Sequence, residues 1–124
     1  MHWPPQIGAP LPRAGEAIGV REKLAGYSLD PNHWKGGPKA RGFELILGIT
    51  LNEIEHLASA IEAGVLDIAV SDVRDNSPYG FTCEVLVPVG GLGARSSRVI
   101  VVTTAWELTD ARAFPRLVNA YIRD

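Results

Sequence analysis

The chain has a single cysteine, no long apolar run and no strong excess of charge of one sign. One cysteine, Cys83, excludes an internal disulfide bond and favours a reducing compartment, so we expect a cytoplasmic protein with a buried, inert thiol. The longest uncharged apolar stretch, residues 99–106, is far shorter than the roughly 20 residues that a membrane-spanning helix needs. The first residues lack a basic start followed by an apolar run, so we expect no secretory signal.

The spacings that mark metal and phosphate sites are also missing. The histidines His2, His33 and His56, together with Cys83, form neither a pair of closely spaced cysteines nor an HExxH pattern. We therefore predict no metal site and no cofactor. The glycines at 90–93 precede Ala-Arg-Ser-Ser and a predicted strand, which favours a hairpin turn over a phosphate loop.

Charge is unevenly distributed although the net charge of the 124 residues is only −2. Residues 1–41 carry +3, residues 42–94 carry −7 and residues 95–124 carry +2. If the two ends of the chain meet in the fold, they form a basic face on an acidic body, and such a face attracts phosphate. Charges scattered over a solvated surface are an equally good interpretation.

The periodicity of apolar residues predicts helices first and strands after them. The prolines of residues 1–15 predict an extended or flexible arm, and residues 16–124 are predicted to form one domain. Helical spacing covers residues 17–29, 38–47 and 50–64, with a capping box of Thr50 and Glu53. Strand patterns cover 81–87, 98–108 and 116–122, while 66–73 is a strand or an irregular link. This order predicts an α+β fold, with helices packed on a small antiparallel sheet.

The densest polar cluster surrounds a Gly-Gly-Pro turn at residues 33–41. His33 is suited to act as a general acid or base, and Lys35, Lys39 and Arg41 are suited to bind phosphate at the start of a helix. Such groups fit RNA cleavage without a metal, in which the 2′-hydroxyl attacks the neighbouring phosphate. The same residues also fit a loop in which His33 only forms hydrogen bonds and the cations are solvated.

The predicted sheet offers a second set of polar and aromatic residues. Thr104 and Trp106 share one face of the long strand, and Asn119 and Tyr121 share a face of the last strand. Hydroxyl, amide and aromatic groups of this kind bind nucleotides by hydrogen bonds and stacking. Packing in the core is the alternative, and it is the favoured one for Trp106. Tyr79, in a stretch rich in turn-forming residues, is either a lid residue or an exposed side chain without a role.

Several segments together resemble one family of uncharacterised bacterial domains, found as small stand-alone proteins and at the C-terminal tips of secreted polymorphic toxins. These segments are residues 23–33 (KLAGYSLDPNH), Gly36, 39–41 (KAR), Phe43, 47–49 (LGI), 79–80 (YG), 104–106 (TAW) and 115–121 (PRLVNAY). The resemblance covers about residues 20–122. Trp34 stands where the family usually has proline, and Asn119 stands where threonine is common.

The resemblance implies a toxin, neutralised by a small antitoxin or immunity protein. The order of helices and sheet is also similar to that of barnase-like and colicin-type, tRNA-cleaving ribonuclease toxins, in which a sheet face carries the active site. Carried over by position, His33 and Lys39 match the family's polar motif, and Tyr79, Trp106 and Tyr121 match its aromatic positions.

The leading hypothesis is a metal-independent endoribonuclease toxin that cleaves RNA, for example tRNA. Its predicted catalytic residues are His33, Lys39 and Tyr121. The predicted substrate-binding residues are Lys35, Arg41, Tyr79, Thr104, Trp106 and Asn119. The alternatives are a non-enzymatic binding module, such as an immunity protein that uses the acidic segment 42–94, and a toxin that acts on a nucleotide or NAD.

Overall fold

The computed structural model describes residues 3–123, and these form three α-helices and a four-stranded antiparallel sheet, which confirms the α+β class. The helices are Val20–Lys23 (α1), which continues into a π-helical turn at Leu24–Ser28, Gly37–Leu47 (α2) and Ile54–Asp67 (α3). The strands are Asp72–Asp75 (β1), Phe81–Gly90 (β2), Val99–Leu108 (β3) and Arg116–Ile122 (β4). Each strand pairs with the next one along the chain. His2, considered above as a metal ligand, lies outside the described residues.

The start of α3 follows the predicted capping box. The side-chain oxygen of Thr50 accepts a hydrogen bond from the backbone of Asn52 at 3.3 Å, and the backbone N–H of Thr50 donates to Glu53 at 2.9 Å. Short 3₁₀ turns lie at Leu51–Glu53, Ala14–Glu16 and Gly93–Arg95. The capping box therefore fixes the place where the chain turns into α3.

The predicted end of α3 at Gly64 is wrong, because the helix continues to Asp67. A Cβ atom on Gly64 would lie 2.6 Å from Cγ1 of Val87 in β2. Glycine at position 64 therefore allows α3 to pack closely on the sheet, and the helix continues beyond it.

Alternation along the strands divides the sheet into an inner face covered by the helices and a partly exposed outer face, on which Thr103 and Ala105 of β3 are nevertheless buried. The inner face packs against the helices through Cys83, Val85, Val87 and Val89 of β2 and through Val102, Thr104, Trp106 and Leu108 of β3. Burial raises the pKa of the Cys83 thiol to about 11, so the thiol stays protonated at neutral pH. No helix covers the outer face among the described residues, and this face carries the polar side chains discussed below.

The N-terminal segment lies against the domain. The backbone N–H of Gly8 donates to the carbonyl of Val70 at 2.8 Å, and the N–H of Val70 donates to the carbonyl of Ala9 at 2.9 Å. The ring of Trp3 meets the ring of Phe81 edge-on at 5.4 Å. The domain boundary after residue 15 stays a prediction.

Two helical glycines test how tightly α3 packs on the sheet. We expect Gly64→Ala to lower the free energy of unfolding by about 1–3 kcal/mol, because the new methyl group overlaps Val87. Gly42→Ala is the matched control, since a Cβ atom on Gly42 would meet no other atom within 4 Å, and alanine should stabilise α2 by roughly 0.5–1 kcal/mol. Urea denaturation measures both changes. Equal stabilisation by both substitutions would contradict the close packing.

Candidate active site

The loop that precedes α2 is shaped by His33. Its Nδ1 accepts hydrogen bonds from the backbone N–H groups of Lys35 and Gly36, each at 3.0 Å. Gly36 also packs so closely on the π-helical turn that a Cβ atom there would overlap the carbonyl oxygen of Tyr27. Because Nδ1 is an acceptor, the neutral ring carries its hydrogen on Nε2, which leaves His33 without an available lone pair to act as a base.

Tyr27 brings the three predicted catalytic residues together. Its ring meets the imidazole of His33 edge-on at 4.9 Å, and its hydroxyl accepts a hydrogen bond from Lys39 Nζ at 2.5 Å. The same ammonium group lies 4.4 Å from the ring centre of Tyr27 and 5.6 Å from that of Tyr121. His33, Lys39 and Tyr121 therefore lie on one side of the molecule. Tyr27 was not predicted as a site residue, because the helical spacing of residues 17–29 does not show that its ring reaches His33 and Lys39.

The outer face of the sheet holds a groove of about 390 Å³ beside this cluster. In the strand register Glu84 lies opposite Ala105, and Ala105 lies opposite Asn119. The groove is lined by Asp72, Arg74, Thr82, Glu84, Asn119 and Tyr121, among others. The oxygen of the Asn119 side chain is enclosed and meets no donor among the described residues. Tyr121 also contributes to a smaller cavity with Lys39, so it connects the groove with α2.

Arg123 joins a carboxylate and a phenol at the edge of this groove. Its Nη2 donates to Glu84 at 3.2 Å and to the hydroxyl of Tyr121 at 3.3 Å. The hydrogen bond with Tyr121 first, and the contact with Glu84 as well, raise the pKa of Arg123 above its ordinary value, so the guanidinium stays charged. The Glu84 side chain is 25% exposed and is accessible to a ligand in the groove. Neither Glu84 nor Arg123 was predicted from the sequence, because nothing in their spacing marks a pair that forms across β2 and β4.

Thr104 and Trp106 require a correction, since both lie on the inner face of the sheet and are fully buried. The indole N–H of Trp106 donates to the Thr104 hydroxyl at 2.9 Å, and this hydroxyl donates to the carbonyl of Val85 at 2.7 Å. Asn119 and Tyr121 face the opposite side. Thr104 and Trp106 therefore stabilise the core and cannot contact a ligand in the groove.

Neither Arg41 nor Tyr79 lines the groove. Arg41 follows Lys39 by two residues in α2, so the two side chains point to different sides of the helix and do not form one phosphate site. Arg41 instead lines a separate cavity of about 330 Å³ with Thr50 and Asn52. Tyr79 is 78% exposed in the turn between β1 and β2, at the edge of the sheet opposite β4. Lys35 stays near the cluster, with its ammonium group over the ring of Trp34.

Residues 3–123 contain neither a cluster that could hold a metal ion nor a helix that could span a membrane. No three His, Cys, Asp or Glu side chains in this range come together closely enough to hold a metal ion. In the same range, every helix is too short or too polar to cross a membrane.

Comparison with known families places the chain in one of them. A family model described as a domain of unknown function (DUF6883) matches residues 10–124. The chain belongs to this family. Membership of DUF6883 confirms the resemblance to an uncharacterised domain family, while the toxin context stays a prediction. No curated protein and no solved structure matches the chain. The chemistry of this DUF6883 domain therefore has to follow from the groups in its own groove.

Two substitutions test the structural role of His33. We expect His33→Ala to lower the free energy of unfolding by about 1–2 kcal/mol, because two backbone N–H groups lose their acceptor. His33→Asn should retain most of the stability, since an asparagine oxygen accepts hydrogen bonds from the N–H groups that follow it. Urea denaturation of the three proteins measures the difference. If the His33→Ala variant has the same free energy of unfolding as wild type, His33 does not shape the loop.

Proposed function

We propose that this DUF6883 domain is a metal-independent endoribonuclease whose reaction centre is the groove on the outer face of the sheet. The observation that carries the proposal is the position of Arg123, one nitrogen of which lies within 3.3 Å of both the Glu84 carboxylate and the Tyr121 hydroxyl. A proton acceptor, a proton donor and a permanent cation around one point are the groups that phosphoryl transfer from a neighbouring hydroxyl requires.

Glu84 is a better base than His33 on geometric grounds. Nδ1 of His33 is occupied by the backbone of its own loop. The contact of Arg123 with Glu84 uses Oε1, and Oε2 accepts no hydrogen bond from the residues that the structure describes. An ionised carboxylate can accept a proton at either oxygen, without the tautomer change that His33 would need.

The reaction moves two protons and exchanges one bond at phosphorus. Glu84 accepts the proton of the 2′-hydroxyl, the 2′-oxygen forms a bond to phosphorus, and the bond between phosphorus and the 5′-oxygen breaks. Tyr121 donates its phenolic proton to that leaving oxygen. The products are a 2′,3′-cyclic phosphate and a 5′-hydroxyl, and the protons on Glu84 and Tyr121 exchange back through solvent. Arg123 and Arg74, both at the groove, stabilise the charge on the non-bridging oxygens.

The arrangement of helices and sheet supports the same proposal by analogy. Barnase-like and colicin-type toxins are similar in having helices followed by a sheet, one face of which carries the active site. Analogy between folds is weak support for a function, so the proposal depends on the groups in the groove. A toxin of this kind requires a neutralising partner, for which we propose a small antitoxin or immunity protein that covers the groove.

Removing the proposed base should abolish cleavage. We expect Glu84→Gln to lower the rate of RNA cleavage by about 10²- to 10⁴-fold, because the amide cannot accept the 2′-hydroxyl proton. Glu107→Gln is the matched control, since Glu107 is a strand carboxylate paired with an arginine, Arg116, at 2.7 Å, but does not line the groove. The measurement is the cleavage rate of single-stranded RNA by the purified domain.

The wild-type rate should be unchanged by EDTA, and a substrate with 2′-deoxyribose throughout should remain intact. Cleavage by Glu84→Gln at the wild-type rate would overturn the assignment of the base. Cleavage of the deoxyribose substrate would overturn the proposed chemistry.

Expression in bacteria tests the proposed toxin role. We expect the wild-type domain to arrest growth and Tyr121→Phe, which lacks only the hydroxyl group, to relieve the arrest. The measurement is the growth rate after induction at matched levels of folded protein. Equal growth of cells with either protein or with none would contradict the toxin role.

A further inference from the structure

A row of aromatic rings with cations beside them leads away from the groove. We define the aromatic–cation track as Tyr121, Lys39, Tyr27, His33, Trp34 and Lys35. At its start, Lys39 Nζ lies between the rings of Tyr121 and Tyr27, at 5.6 Å and 4.4 Å. Lys23 Nζ adds a second cation 5.2 Å from the ring of Tyr27. The cations are therefore placed beside ring faces by the fold.

The far end of the track carries an exposed indole. Trp34 is 80% exposed, and its ring is nearly parallel to that of His33, with 6.4 Å between the centres and 11° between the planes. Lys35 Nζ lies 4.7 Å from the centre of the indole. Because four-fifths of the indole is exposed, most of its surface is open to a ligand.

The loop beneath Trp34 is fixed by several contacts. The His33 ring is held by two backbone N–H groups, and its edge-on contact with Tyr27 has a centre-to-centre distance of 4.9 Å. The N–H of Gly37 also donates to the carbonyl of His33 at 2.7 Å. A ring held in place costs less conformational entropy when a ligand stacks on it than a ring on a mobile loop.

We infer that the aromatic–cation track binds single-stranded RNA beyond the cleaved linkage, with a base stacked on Trp34 and phosphates beside Lys35 and Lys39. This inference rests on the proposed function and names its substrate class. Base faces are open to stacking only where the strand is unpaired, and aromatic rings with cations nearby are the groups that bind such strands.

Charge alone would allow a different ligand, an acidic protein. Such a partner would use Lys35 and Lys39, but it would not need a flat ring exposed beside each cation. The position of Trp34 against His33 favours a planar ligand. Loss of the Trp34 ring should therefore weaken the binding of single-stranded RNA but not that of an acidic protein.

The test measures binding without cleavage. A 2′-O-methyl hexanucleotide, which lacks the attacking hydroxyl, is titrated into the full chain and binding is followed by tryptophan fluorescence and by anisotropy of a labelled strand. We expect Trp34→Ala to bind the hexanucleotide about 5- to 100-fold more weakly, and Trp34→Phe to retain most of the affinity. We expect a 2′-O-methyl dinucleotide to occupy the groove without contacting Trp34, so both variants should bind it as wild type does.

Phe114→Ala is the matched control, because Phe114 is also exposed and has a cation, Arg13, 4.4 Å from its ring centre, but lies outside the track. It should leave the affinity for the hexanucleotide unchanged.

Lys35→Gln should reduce the slope of log affinity against log salt by about 0.7, as expected for one phosphate contact on a single strand.

The outcomes separate this inference from the proposed function. Cleavage of RNA together with equal hexanucleotide affinity of wild type and Trp34→Ala would overturn the track and leave the reaction centre in place. Loss of affinity in Trp34→Ala without any cleavage by wild type would support the track and contradict the ribonuclease. Tighter binding of a duplex than of a single strand, or binding of acidic protein alone, would overturn the track.

Discussion

The packing of α2 against the edge strand β4 joins the aromatic–cation track to the groove on the sheet. At this contact Lys39 of α2 is placed between Tyr27, in the π-helical turn, and Tyr121, on β4. Without it the loop of residues 33–37 would have no fixed relation to the sheet. The hydrogen bond from Lys39 to Tyr27 and the close approach of Gly36 to the Tyr27 carbonyl hold the two parts together.

The same contact explains how a chain with a net charge of −2 can present cations to a phosphate. Lys39 comes from the basic N-terminal segment and Arg123 from the basic C-terminal segment, and both lie within 6 Å of the ring of Tyr121. The acidic residues Glu55 and Glu62 of α3 instead pair with Arg21 on the helical side of the molecule. Local charge therefore differs from the sum over the chain, and local charge determines what a groove binds.

Much of the fold could be predicted from the sequence because its signals are local. The signals are the capping box at Thr50, the end of α2 at Gly48 and the alternation in β2. Each depends on neighbours within a few residues. The end of α3 could not be predicted, since Gly64 looks like a helix terminus until Val87 is known to lie against it.

The candidate site was less predictable because it depends on pairing between distant segments. Core packing was the favoured interpretation of Trp106, but both faces of β3 are rich in β-branched residues, so its sequence does not show that Thr104 points inwards. A bulge between Ala105 and Trp106 also shifts β4 relative to β3, which places Asn119 opposite Ala105. Loop composition did indicate the cluster around His33 and Lys39, but not the residue that joins them, Tyr27.

Binding of a substrate analogue to the labelled protein tests the location of the reaction centre most directly. In a titration of the ¹⁵N-labelled domain with a 2′-deoxy dinucleotide, followed by heteronuclear NMR, we predict that the largest shifts occur at the amides of Glu84, Ala105, Asn119 and Tyr121. The contrary result is a set of shifts confined to the cavity beside Arg41 and Asn52, with the amides of the outer sheet face unchanged.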